Sequence, residues 1–237
     1  MSAVVLLATR NAGKLRELLP MLTTAGIRAE TLAEAGIPES PDEDELESFE
    51  TFEENALAKA RWFSSKANGR VVFADDSGLV VAALAGRPGV HSKRWAGMVS
   101  LAGQALAGQA LDGQALDDAN NAYLVAELDR SAAAGRPDRS ASYVCAAACA
   151  WDGGSLVVTG STTGRIMAKP VGTGGFGYDP YFWSADLGAG FAEVSREAKQ
   201  AVSHRGRAFR GLLDALGMEP QLKRKLFGPV DPEGVSG

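Results

Sequence analysis

Cysteine and histidine are scarce, with two of each among 237 residues, and that scarcity removes several kinds of chemistry. His91 and His204 are the only histidines, so a multi-histidine zinc site has nothing to be built from. A Ser-His-Asp triad is formally available, but no G-x-S-x-G elbow accompanies it. Cys145 and Cys149 fall in the apolar run 143–151. On a strand they share a face, and four steps of roughly 3.3 Å put them too far apart to bridge. They read as buried thiols of a reducing compartment. Long apolar runs are missing too. The opening MSAVVLLA is short and has no leading positive charge, so it reads as a first strand and not as a signal peptide. No run approaches the roughly 20 residues that span a bilayer. No membrane partner is expected, and the expected location is cytoplasmic. A basic surplus is absent as well: the formal net charge is −5, which argues against a binder of nucleic acid polymers. It leaves room for a small polyanion held by a local cluster of Lys and Arg. At 46% hydrophobic and 22% charged, the chain has soluble composition and length for one substantial core or two closely packed lobes.

Apolar spacing predicts the elements. Residues 4–8 read as a buried strand and 9–13 as a polar turn. Leu15, Leu18, Leu19 and Leu22 then define an amphipathic helix running to about Ala25, with Gly26 as its stop. Residues 38–47 form an acidic loop. A second helix is expected from near Phe49, with Phe49, Phe52, Ala56, Ala60 and Phe63 on its apolar face and Thr51, Asn55 and Lys59 along one polar stripe. The run 71–74 reads as a strand that stops on Asp75 and Asp76. A helix is expected over 119–134, and a hairpin over 141–151 and 155–163 around Asp152-Gly153-Gly154. A last helix runs from about Ser203 with Phe209, Leu212, Leu213 and Leu216 inward. Strands and helices alternate early and a hairpin follows, so the expected class is α/β with a mixed sheet. Residues 103–117 repeat the pentapeptide GQALA, GQALD, GQALD. Three short units cannot build a solenoid, and the segment 102–118 reads as an inserted surface element without chemistry. The tail 218–237 reads as peripheral.

Four segments can carry chemistry. In the first, Thr9, Arg10, Asn11, Ala12, Gly13 and Lys14 join a strand to a helix N-terminus, whose free N–H groups suit a phosphate. It is not a P-loop, because the first glycine is missing and Leu15 stands where Ser or Thr would hold magnesium. The plain alternative is a capped helix with a surface lysine. In the second, Asp75-Asp76-Ser77-Gly78, adjacent carboxylates after an apolar run are costly to bury without a cation or donors. Magnesium takes oxygen ligands, commonly one or two carboxylates plus substrate phosphates. Neighbours on a strand face opposite ways, so one Asp meets the metal and the other bonds to backbone. In the third, Ser203-His204-Arg205-Gly206-Arg207 with Lys199 upstream, cations in the first turn oppose the helix dipole by about a few tenths of a kcal/mol, a conflict that a bound anion removes. Lys14 and Arg16 repeat that pattern on the first helix. The alternative is that these side chains reach solvent or pair with acidic neighbours. In the fourth, Gly174-Gly175-Phe176-Gly177-Tyr178-Asp179-Pro180, glycines around an aromatic let a flat ligand stack on the ring. The alternative is a tight turn with Phe176 and Tyr178 in the core.

In this order and spacing, ATRNAGKLREL, TFEENALAKAR, FADDSGL, GGFGYDP and SHRGRAF resemble the Ham1-like inosine triphosphate pyrophosphatases over residues 4–216. The resemblance implies an elongated α/β fold, a mixed sheet flanked by helices with two lobes around a central cleft. It makes residues 1–217 one catalytic domain of two lobes, and it implies a homodimer. It implies Mg2+-dependent cleavage of inosine, deoxyinosine and xanthosine triphosphates between the α and β phosphates, which keeps deaminated purines out of DNA and RNA. By position, Thr9 through Lys14 and Lys59 hold the triphosphate. Asp76 is the metal-linked catalytic carboxylate, and Ser77 touches substrate. Phe176, Gly177, Tyr178, Asp179, Lys199, His204 and Arg205 line the base and sugar end. A 6-oxo purine offers an acceptor to His204 or Arg205, where the amino group of adenine would repel those donors. Glu47 aligns with a second metal ligand, although Phe49 replaces the glycine of the Glu-x-Gly-x-Thr-Phe run. Two alternatives stand beside this reading: a Maf-type pyrophosphatase for modified pyrimidine triphosphates, and a non-catalytic nucleotide sensor.

Overall fold

A computed structural model describes residues 4–97, 113–218, 222 and 226. Its strands are β1 (Val5–Leu7), β2 (Ala29–Thr31), β3 (Val72–Val81), β4 (Ser140–Trp151), β5 (Gly154–Ile166), β6 (Phe182–Ser184) and β7 (Ala189–Gly190). Its helices are α1 (Ala12–Thr24), α2 (Phe52–Lys66), α3 (Gly113–Ala133), α4 (Arg196–Val202) and α5 (His204–Met218). Among the described residues the strand order is β2-β1-β3-β4-β5-β6-β7. β1 pairs in parallel with β2 (Val5 opposite Ala29) and β3 (Leu7 opposite Phe73), whereas β6 pairs antiparallel with β5 and β7. The mixed sheet and flanking helices of the expected α/β class are present.

The chain divides into two compact units, one of residues 1–75, 146–158 and 208–237, the other of 76–145 and 159–207. In the first, β1 is wholly buried, as its uninterrupted Val-Leu-Leu predicts for a strand covered on both faces. Leu18 and Leu22 of α1 and Ala56, Ala60 and Phe63 of α2 are buried, and Phe73 meets Phe209 edge to face with centroids 6.3 Å apart. In the second, Leu79, Val81, Leu124, Leu128, Tyr143, Phe182 and Phe191 belong to one apolar core.

Several boundaries differ from expectation for local reasons. α2 begins at Phe52, because the Thr51 hydroxyl accepts the Glu54 N–H and caps the helix there, leaving Phe49 43% exposed. Within the acidic loop, residues 41–47 form a 3-10 helix with a capping box from Ser40 and Glu43. α3 starts six residues earlier than expected, so the third GQALD unit, residues 113–117, is the first part of a regular helix. Residues 102–112 of the expected insertion lie outside the described residues, as does nearly all of the tail. β3 does not stop at the carboxylates; it carries Asp75 and Asp76 in mid-strand, where Lys14 pairs with the buried Asp75 carboxylate and the Ser77 N–H donates to Asp76. The hairpin is present, with β4 and β5 longer than expected, and both cysteines are buried thiols outside any disulfide. Leu213 is only partly buried, unlike Phe209, Leu212 and Leu216. Among the described residues no helix is long and apolar enough to cross a membrane.

Candidate active site

The first unit gathers two lysines around one aspartate. Asn11 caps α1 by accepting the Lys14 N–H at 3.0 Å, and the Thr9 hydroxyl accepts the Asn11 N–H at 3.2 Å. These bonds fix the β1–α1 turn, so Lys14 leaves the first helical turn in a defined place. Its ammonium lies 3.1 Å from Asp75 Oδ2 and 3.2 Å from the Asp75 carbonyl oxygen. Lys59, one turn beyond Asn55 on α2, donates to the same carbonyl at 2.8 Å and forms an ion pair with Glu47. Asp75 is fully buried and Lys59 nearly so. Two cations therefore converge on the carbonyl that immediately precedes Asp76. Asn55 contributes by accepting the Phe49 N–H at 2.9 Å, which anchors the segment that carries Glu47. Gly13 is buried, and Ala12 is exposed at the helix start.

Arg10 has a different environment. Its guanidinium binds Glu43 through Nε at 2.8 Å and Nη2 at 2.7 Å, and it also donates to the Pro38 carbonyl at 2.8 Å. The hydrogen bonds to Arg10 hold the Glu43 carboxyl below its ordinary pKa, and Glu43 raises that of Arg10. Arg10 thus ties the turn to the acidic segment.

The second unit gathers the residues expected at the base end. Asp76 is buried, and its Oδ1 accepts the Ser77 N–H at 2.9 Å. Arg205, 3% exposed, donates from Nη2 to the Ser77 hydroxyl at 2.8 Å. Ser203 accepts the Gly206 N–H at 3.1 Å and so caps α5, which sets His204 and Arg205 in its first turn. His204 is buried and stacks on Tyr143, ring centroids 4.5 Å apart and planes 7° from parallel. Lys199 pairs with Asp179 at 2.5 Å, both buried, and Asp179 also accepts the Phe176 N–H at 2.9 Å. The half-buried Phe176 ring then has the Lys199 ammonium 5.1 Å and the Arg205 guanidinium 5.9 Å from its centroid. Tyr178 is core: its hydroxyl donates to the Ser92 carbonyl at 2.8 Å, and burial raises its pKa. Arg207 binds the Ser161 carbonyl and Asp186, the ordinary surface pairing open to it.

Two residues without an expected role join this cluster. Asp117 accepts the Gly177 N–H at 2.8 Å, and Asn121 donates to the Gly177 carbonyl at 2.9 Å. The available signal was Asn120-Asn121 within a helix, a poor local choice that points to tertiary bonds. Asn120 does make them, to the Ala96 N–H and the Lys93 carbonyl. A cavity of about 400 Å³ lies beside this loop, lined by Asn121, Gly174, Phe176, Gly177 and Tyr181 among others. A larger cavity of about 640 Å³, lined by residues such as Val4, Ile27 and Glu34, holds none of the expected site residues.

Among the described residues no group of three or more His, Cys, Asp or Glu is placed to hold a metal ion. The carboxylates present suit a hard cation in kind. Magnesium commonly takes only one or two of them and completes its shell with phosphate and water.

The sequence profile described as the Ham1 family matches residues 5–215. A dITP/XTP pyrophosphatase of Geobacter sulfurreducens is 42% identical over 216 residues, covering 91% of this chain and 97% of that protein. One from Nocardia farcinica is 45% identical over 218 residues, covering 90% and 95%. A solved HAM1 protein from Coxiella burnetii superimposes with a TM-score of 0.72 at 32% identity, covering 91% of this chain and 98% of that one.

Proposed function

The chain belongs to the Ham1 family, and from that membership we propose that it is a nucleoside-triphosphate pyrophosphatase acting on non-standard purine nucleotides such as dITP and XTP. The observation that carries the reading is the Phe176 ring with two buried cations, Lys199 and Arg205, within 6 Å of its centroid. A purine stacks on such a ring, and fixed donors beside it favour a 6-oxo acceptor over the adenine amino group. The full-length likeness to dITP/XTP pyrophosphatases favours this reading over a pyrimidine enzyme or a sensor.

The residue roles follow from their chemistry. Lys14 and Lys59 supply positive charge for the triphosphate, with the α1 N-terminus from Thr9 to Gly13 adding its N–H dipole. Asp76 accepts a proton from the water that attacks the α-phosphorus. A new bond forms from the water oxygen to the α-phosphorus, the bond from the α-phosphorus to the α,β-bridging oxygen breaks, and pyrophosphate leaves with that oxygen, giving the monophosphate and pyrophosphate. Asp76 would hold Mg2+, with Glu47 as a second ligand sharing its carboxylate with Lys59. When bound, the ion offsets phosphate charge and acidifies coordinated water. Ser77, held by Arg205, touches the substrate, and His204, Gly177 and Asp179 complete the base end. The assembly proposed is a homodimer in the cytoplasm.

Product analysis tests the reading. Incubation with inosine triphosphate and magnesium is expected to give inosine monophosphate and pyrophosphate, with GTP largely untouched. Asp76→Asn is expected to lower turnover by about 10²- to 10⁴-fold while nucleotide still binds. Diphosphate and orthophosphate as products, or an unchanged turnover in Asp76→Asn, would overturn the role of Asp76.

A further inference from the structure

The GQALD repeat is the one sequence feature that the proposed reaction leaves unused, and its last residue is Asp117. Asp117 and Asn121 stand four apart on α3, which places them on the same helix face one turn from each other. That face meets a single residue: Asp117 Oδ2 accepts the Gly177 N–H at 2.8 Å, and Asn121 Nδ2 donates to the Gly177 carbonyl at 2.9 Å. Both polar groups of one residue are thereby fixed by one rigid element. Gly177 has a φ of +62°, a conformation that favours glycine and gives the backbone no side chain by which to be packed. Hydrogen bonds must therefore hold it.

The clasped residue is the neighbour of Phe176. On the other side, the Phe176 N–H is held by Asp179, whose carboxylate is in turn held by Lys199. The backbone that aims the Phe176 ring is thus pinned from two directions, by Asp179 from within the loop and by α3 from outside it. Release of the α3 clasp would leave the chemistry at Asp76 unaltered and let the ring wander. We infer that Asp117 and Asn121 are positioning residues that fix the aromatic platform through Gly177, so that the final GQALD unit helps to set the affinity for purine. The inference rests on the reading of Phe176 as that platform.

Steady-state kinetics of the full chain with inosine triphosphate and magnesium test it, using Asp117→Ala, Asp117→Asn, Asp117→Glu and Phe176→Leu. Loss of a charge-assisted bond is expected to raise KM about 10-fold or more in Asp117→Ala, with kcat within about twofold of the parent. Asp117→Asn keeps an acceptor at the same reach and is expected to hold KM within about threefold. Should Asp117→Ala fail to fold, Asp117→Glu replaces it, because an added methylene displaces the carboxylate and is expected to raise KM while Asp117→Asn does not. Equal losses in Asp117→Asn and Asp117→Ala, or a KM unmoved in every Asp117 variant, overturn the inference. Phe176→Leu separates the two levels of argument. A raised KM there with unmoved Asp117 variants sinks the positioning role alone, and an unmoved KM in Phe176→Leu sinks the platform reading itself.

Discussion

Arg205 donates from Nη2 to the hydroxyl of Ser77 at 2.8 Å, across 128 positions of sequence. The bond joins the first turn of α5 to β3 just after Asp76, and Arg205 is almost wholly buried where it forms. A cation in the first turn of a helix opposes the helix dipole, a conflict that a bound nucleotide would offset on the proposed function.

Arg205→Lys preserves the charge and removes the planar fork. A lysine ammonium does not stack beside Phe176 as a guanidinium does, and it does not hold Ser77 and a substrate acceptor in one plane. The expected outcome is a loss of about 10- to 100-fold in kcat/KM for inosine triphosphate, the range that one charge-assisted hydrogen bond supplies. An activity equal to the parent would show that Arg205 serves only to hold Ser77.

Gly175 is tightly enclosed by Asp179 within the loop 174–180. Its φ is +76°, and an added Cβ would lie 2.1 Å from Asp179 Oδ2 and 2.8 Å from Asp179 Cβ. Asp179 cannot simply swing away, because the same oxygen takes Lys199 and the Phe176 N–H. Gly175→Ala is therefore expected to break part of this network and to raise KM, with a backbone strain of about 1–2 kcal/mol from the left-handed conformation. Unchanged KM and unchanged melting temperature would contradict both the tight packing and the role of the loop.

What the sequence revealed depends on how far each cause lies along the chain. The α1 start was legible because Asn11 caps Lys14 only three residues away. The Phe52 start of α2 turned on an equally local bond from Glu54 to Thr51, but the apolar spacing of Phe49 masked it. The passage of β3 through Asp75 and Asp76 was not legible. The buried Asp75 has its partners far away, Lys59 16 positions upstream and Lys14 61 positions upstream. Arg10 illustrates the same limit, since its partner Glu43 lies 33 positions away in a segment read as plain loop. The motif residues were recognisable, but the clasp of Gly177 by Asp117, 60 positions away, needed the tertiary structure.

The cysteines offer a test of the core that is independent of activity. Burial raises the pKa of the Cys149 thiol, and both cysteines are inaccessible on β4. The thiolate is the reactive form, so native protein at neutral pH is expected to resist alkylation at both positions. Unfolded protein is expected to take up label at both. Rapid native labelling, read by mass spectrometry of the peptide over 140–151, would contradict the burial of that strand.

Glu43 predicts a stability change in acid. Its hydrogen bonds to Arg10 lower its folded-state pKa below the ordinary 4.5. The unfolded chain therefore takes up the proton first as pH falls, and folding loses stability from about the unfolded value downward through the lower folded value. Above that window the contribution is complete. Arg10, shifted upward, remains charged throughout. Glu43→Gln retains one acceptor oxygen for the Ser40 N–H in the capping box and removes the titrating charge together with one of the two oxygens that accept from Arg10. Its melting temperature is expected to lie below that of the parent near neutral pH, and the gap is expected to narrow as pH falls from about 6 to about 3. A constant gap over that range would mean that Glu43 acts by its shape in the 3-10 helix and not by its charge against Arg10.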